Sequence, residues 1–201
     1  MIDWADAVRG LHMAACMVPA GGCVFLLLMA RPAARVSLDS AAQLQAVSRW
    51  IDRTTAWSLI VALLTGLLWL AAEAMNMSGR PFSGAMSPAV IGVVISKTLF
   101  GRLWQFRGLV LFLLAIWLFF RARGGESAPA DTRIGLVLGL ALVLSLAWAG
   151  HAAAVEGVSG WTLLVSQLVH LAASAGWLGS LPPLAMVLGR ARRRPASWGF
   201  A

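Results

Sequence analysis

Tyrosine is absent from these 201 residues, and charge is scarce, with 12% of the chain Asp, Glu, Lys or Arg. A soluble domain carries roughly a quarter of its residues charged, so a water-facing globule is excluded. Cysteine is limited to Cys16 and Cys23, seven positions apart in one apolar stretch. On a helix that spacing separates the two Cα atoms by about 10 Å, beyond the reach of a disulfide. They either pack as small apolar residues or act as soft metal ligands. No phosphate loop, catalytic triad or HExxH helix is present, so nothing argues for an enzyme. Asp3 and Asp6 precede Arg9, which is a poor basic lead-in, so no cleaved signal peptide is expected.

What is abundant is apolar: 60% of residues are hydrophobic and the mean hydropathy is +0.80. Ten tryptophans are present, many near the ends of apolar runs, where an interfacial belt places them. The fold class that follows is all-α, a polytopic transmembrane helix bundle forming one membrane domain in the lipid bilayer. About five spans are expected, at 7–29, 56–75, 103–120, 134–154 and 162–188. The polar segment 33–53 reads as a surface helix that does not cross, and 76–88 as a Gly/Ser/Pro/Met-rich loop. The run 89–120 is too long for one crossing, and Lys97, Arg102 and Arg107 interrupt its first half. Charge at mid-bilayer is costly, so 89–100 becomes a short interfacial helix ahead of the third span. Pro182-Pro183 is expected to kink the last span.

A net charge of +8 raises nucleic acid as a partner. The basic residues, however, fall in short loops, which is a topology signal rather than a phosphate-binding face. Under five spans, Arg31, Arg35, Arg49, Arg53, Arg121, Arg123, Arg133, Arg190, Arg192, Arg193 and Arg194 share one side. Arg9, Arg80, Lys97, Arg102 and Arg107 share the other. The positive-inside rule then puts the N-terminus outside and the C-terminus in the cytoplasm.

That topology places all three histidines in the outer half. His12, His151 and His170 lie about 8, 5 and 12 Å deep at 1.5 Å per residue. Polar residues inside a membrane usually face the bundle interior, so the three are read as one candidate site. His12, Cys16, Pro19 and Cys23 follow one stripe of the first span. Imidazole, thiolate and thioether make a soft ligand set suited to Cu(I). Met75, Met77 and Met86 punctuate the outer loop, as packing residues or as further thioether ligands. Arg107 either snorkels to the headgroups or orients a carboxylate such as Glu73 or Glu156.

Four pieces in order resemble the copper-resistance D family of membrane proteins. They are Leu11-His12 followed by Gly21-Gly22; Thr98, Phe100-Gly101, Trp104 and Arg107; Gly150-His151-Ala152; and His170, Ala172-Ala173, Trp177 and Gly179. Members of that family usually carry further spans, so the match covers roughly their first five. The resemblance implies a multi-pass protein of the bacterial inner membrane, in which the basic bias puts the N-terminus in the periplasm and the C-terminus in the cytoplasm. It implies a role in copper uptake, homeostasis or resistance, often beside a periplasmic copper-binding protein of the copper-resistance C type. The metal ligands expected are His12, His151, His170 and Cys16, with Met75, Met77 and Met86 as secondary ones. Thr98, Trp104, Arg107 and Trp177 would support the site. The alternative is a b-type cytochrome in which two of the histidines clamp a haem.

Overall fold

The computed structural model describes residues 4–34, 40–123, 129–149 and 157–193. Every regular element among them is helical, in the order α1 (Trp4–Phe25), a π-helical turn (Leu26–Ala30), α2 (Arg31–Ala34), α3 (Ser40–Ser78), α4 (Phe82–Ala85), α5 (Pro88–Lys97), α6 (Leu99–Arg123), α7 (Pro129–Leu144), a 3₁₀ turn (Ser145–Ala149), α8 (Gly157–Leu178) and α9 (Leu181–Arg193). Five of the helical stretches are long and apolar enough to cross a bilayer: Trp4–Ala34, Ala42–Ser78, Leu99–Arg123, Pro129–Trp148 and Gly157–Arg190. The protein is therefore a multi-pass membrane helix bundle. Its head is the end where α1 begins, and its foot is the end where α1 finishes.

α1 occupies the centre and packs against α3, α7 and α8. Lipid tails are as apolar as leucine side chains, so spanning helices gain most by bringing their backbones close at small residues. α1 and α8 do this at Gly21 and Gly179. A Cβ on Gly21 would stand 2.3 Å from the Gly179 Cα, and one on Gly179 would stand 2.6 Å from the Met17 carbonyl oxygen. Ser180 Oγ donates to the Gly21 oxygen at 3.0 Å across the same crossing.

Several boundaries differ from the sequence expectation, each for a local reason. The stretch expected as a surface helix over 33–53 is, from Ser40 onward, the first turns of one continuous 39-residue helix. No proline interrupts it, and at about 58 Å it far exceeds a bilayer's hydrocarbon thickness of about 30 Å. The first span does not end at Pro32. A proline ring clashes with the carbonyl four residues back, and the ladder widens into a π turn, with the Arg31 N–H bonding to the Leu26 oxygen. The third span begins at Leu99 rather than 103, because Thr98 ends α5 in an extended conformation and starts α6. The last span breaks at Gly179-Ser180, just ahead of Pro182-Pro183, instead of kinking through them.

A candidate metal site at the head of the bundle

His12 lies on the inner face of α1 and is 2% exposed. Its Nδ1 sits 3.0 Å from the Ala62 carbonyl oxygen and 3.1 Å from Thr65 Oγ1. A carbonyl can only accept, so Nδ1 carries the proton and donates it. The Thr65 hydroxyl spends its own hydrogen on the Val61 oxygen at 2.6 Å and is left as a second acceptor for the ring. This fixes the tautomer, and the Nε2 lone pair is left to accept the Cys16 S–H. One helical turn on, Cys16 Sγ lies 3.6 Å from that lone pair and is fully buried. Metal-bound histidines are commonly oriented in this way, with the far ring N–H tied to a backbone carbonyl. Cys16, once deprotonated, and His12 Nε2 would together offer one thiolate and one imidazole donor to a soft metal ion.

The wall around this pair was only partly visible in the sequence. Trp69 was missed, yet it organises the head. Its indole lies edge-on to His12 at 5.5 Å, and the guanidinium groups of Arg9 and Arg107 lie 5.3 and 5.2 Å from its ring. Its N–H donates to Glu73 Oε1 at 3.0 Å, and Arg9 pairs with the same oxygen at 3.2 Å. The signal lay in the spacing, since Thr65, Trp69 and Glu73 recur every four residues and so share one face of α3.

The expected supporting residues divide. Thr98 Oγ1 accepts the Gly101 N–H at 2.9 Å and so caps α6. A Cβ on Gly101 would fall 2.2 Å from the Val94 oxygen, so glycine alone lets α5 fold back on α6. Trp104 donates its indole N–H to the Gly66 carbonyl at 3.0 Å, behind the His12 ring. Arg107 neither snorkels nor reaches Glu73. It is 2% exposed and donates through Nε to Ser145 Oγ at 3.0 Å and through Nη2 to the Ser145 oxygen at 3.1 Å. Its Nη1 is buried without a hydrogen-bond partner among the described residues. Trp177 stands apart, 71% exposed on α8.

Among the described residues, the remaining ligand candidates do not converge on His12. The side chain of His170 is exposed on α8, away from the buried face of Leu171 and Ala175. His151, Glu156 and the Gly150-His151-Ala152 piece lie outside the described residues. Met75 and Met86 are half-buried against Ala74, Ala85 and Val94, and Met77 is exposed. Cys23 is 2% exposed toward the foot. Between the two sulfurs α1 is closed by Ala20, whose backbone nitrogen would lie 2.7 Å from a Cβ on Gly139. No group of three His, Cys, Asp or Glu residues among the described residues forms a ready metal cluster.

The comparisons with known proteins converge. The copper transport protein CutJ of Bacillus subtilis is 26% identical over 136 residues, 64% of this chain and 24% of that protein. The copper resistance protein D of Pseudomonas syringae pv. tomato is 28% identical over 129 residues, 64% of this chain and 40% of that protein. The chain thus spans well under half the length of the curated relatives it matches. No solved structure matches it. The family model for the N-terminal domain of copper resistance protein D-like proteins matches residues 1–161. The chain belongs to the copper resistance protein D-like family.

Proposed function

We propose that this protein binds Cu(I) at the head of the bundle, through His12 Nε2 and Cys16 Sγ, in the service of copper uptake or homeostasis. The observation that carries the reading is the locked tautomer: Ala62 and Thr65 hold Nδ1–H, which aims the Nε2 lone pair at the buried Cys16 thiol 3.6 Å away, where a soft ion would take the place of the thiol proton. A nitrogen–thiolate pair favours a soft ion over magnesium or calcium. Family membership and the names of the relatives point to the same metal. The basic bias toward the foot supports a head that faces the periplasm and a foot in the cytoplasm of an inner membrane. Met75, Met77 and Met86, with His151, would then receive the ion ahead of the buried pair, from a periplasmic carrier of the copper-resistance C type. His170, exposed on α8, stands outside the pair.

The haem alternative has less support. His12 is enclosed by Cys16, Ala62, Thr65, Gly66 and Trp69, and a porphyrin would have to open all of these contacts.

The test is competition for Cu(I) against a chromophoric chelator, with the purified protein in reducing buffer. His12→Ala and Cys16→Ser should each abolish tight binding, and Thr65→Val should weaken it by about tenfold, the usual cost of losing an orienting partner. His170→Ala should leave it unchanged. Wild-type affinity in both His12→Ala and Cys16→Ser would sink the proposal. A strong Soret band in the purified protein would favour haem instead.

A further inference from the structure

Toward the foot, α3 and α6 part to leave an apolar groove of about 480 Å³ on the outside of the bundle. Ala56, Leu59 and Ile60 line it from α3, and Ala115, Leu118 and Phe119 from α6. The two helices run antiparallel, so Arg53 and Ala122 mark its foot end and Ile60 and Ala115 its deep end. It reaches about 10 Å along the helices, roughly a third of a bilayer's hydrocarbon thickness. Only its foot end is charged. Asp52 is already bonded there by Arg121 at 2.7 Å. Arg53 is exposed and makes no ion pair among the described residues. Arg123, also exposed, lays its guanidinium 3.9 Å from the ring centroid of Phe119, a lining residue.

We propose that this groove holds one acyl chain of an anionic phospholipid, its phosphate clamped between Arg53 and Arg123. A bilayer supplies apolar chains along this whole face, and two exposed arginines at headgroup height, neither in an ion pair among the described residues, select the anionic lipids among them. A second copy of the chain fits less well. Both copies insert in the same orientation, so a neighbour would bring its own Arg53 and Arg123 to the same level, cation against cation.

The experiment uses the full chain in nanodiscs made from equal amounts of phosphatidylethanolamine and phosphatidylglycerol, with retained lipid counted by native mass spectrometry after release into detergent. Wild-type protein retains phosphatidylglycerol well above its bulk share. Arg53→Gln and Arg123→Gln each lower that enrichment by about fivefold, with the helical circular dichroism unchanged because both side chains are exposed. Ala115→Trp fills the groove and removes retained lipid of both kinds. Retention of both lipids at their bulk ratio by wild type would overturn the proposal, as would enrichment that survives the double Gln variant. So would a dimer that Ala115→Trp converts to monomer with no change in lipid count.

Discussion

Arg107 and Arg121 are both buried on α6, fourteen residues apart, and the protein treats them in opposite ways. Arg121 at the foot is fully engaged. Its guanidinium bonds Asp52 at 2.7 Å, Asp131 at 2.8 Å and Ser48 at 2.8 Å, and lies 5.2 Å from the Trp117 ring. Trp117 in turn donates its N–H to Asp131 at 2.9 Å. Among the described residues Arg107 at the head touches no carboxylate, is held by Ser145 and the Trp69 ring, and leaves one nitrogen unbonded. A buried charge persists only where its surroundings meet most of the desolvation cost. At the foot that condition is met within the protein, and the result is a polar knot tying α3, α6 and α7 together. At the head it is met only in part among the described residues, beside the His12 imidazole whose lone pair faces a sulfur. Incomplete satisfaction of buried polar groups is more often a mark of function than of architecture.

The comparison breaks most visibly at the foot. Arg121→Met would strand Asp52 and Asp131 against one another, and removing one partner of a buried ion pair costs about 3–5 kcal/mol. Denaturant titration in micelles should show a loss of that size. Arg107→Met should cost under about 2 kcal/mol, because it deletes an incompletely paired charge and strands only the oxygens of Ser145. Equal losses in the two variants would mean that the ends are built alike, and the functional contrast would fail.

Much of the fold was legible in the sequence. Apolar run length gave the five spans, while the charges of 89–107 called for a break between 100 and 103 that falls at Thr98, and the kink expected at Pro182-Pro183 is a break at Gly179-Ser180. The continuity of α3 was hidden because amphipathic composition over 40–53 resembles a surface helix, and composition does not say whether a helix continues into a span. The site was half legible. His12, Cys16 and Arg107 stood out by residue type and position, and Trp104 through the family resemblance. Ser145 and Trp69 did not, since each acquires its role only through tertiary contact. His170 shows where the rule of inward-facing polar residues loses to packing. The inward face of α8 is set by Leu171, Ala175 and Gly179, whose small or apolar side chains let it close on α1. One residue before Leu171 is a rotation of about 100°, which carries His170 off that face.

The subtlest probe of the head is a single methyl group. A Cβ on Gly66 would lie 3.3 Å from His12 Cε1 and 3.6 Å from Nδ1, tight enough to require a shift of a few tenths of an ångström. The ring cannot move along α3, because Ala62 and Thr65 hold Nδ1 at 3.0 and 3.1 Å, so it must tilt and swing Nε2 relative to Cys16. Against this crowding, alanine in place of a mid-helix glycine gains up to about 1 kcal/mol of helix propensity. The two terms nearly cancel, and Gly66→Ala should unfold within about 0.5 kcal/mol of wild type. Metal affinity has no such compensation, since a ligand displaced by a fraction of an ångström loses directional bonding that propensity does not restore. Cu(I) competition should therefore report a loss of severalfold at unchanged stability. The matching change on the same helix near the foot, Ala56→Gly, should do the reverse, lowering stability by about 1 kcal/mol with copper affinity intact. If Gly66→Ala binds Cu(I) as wild type does, the lone pair of His12 is not what holds the ion.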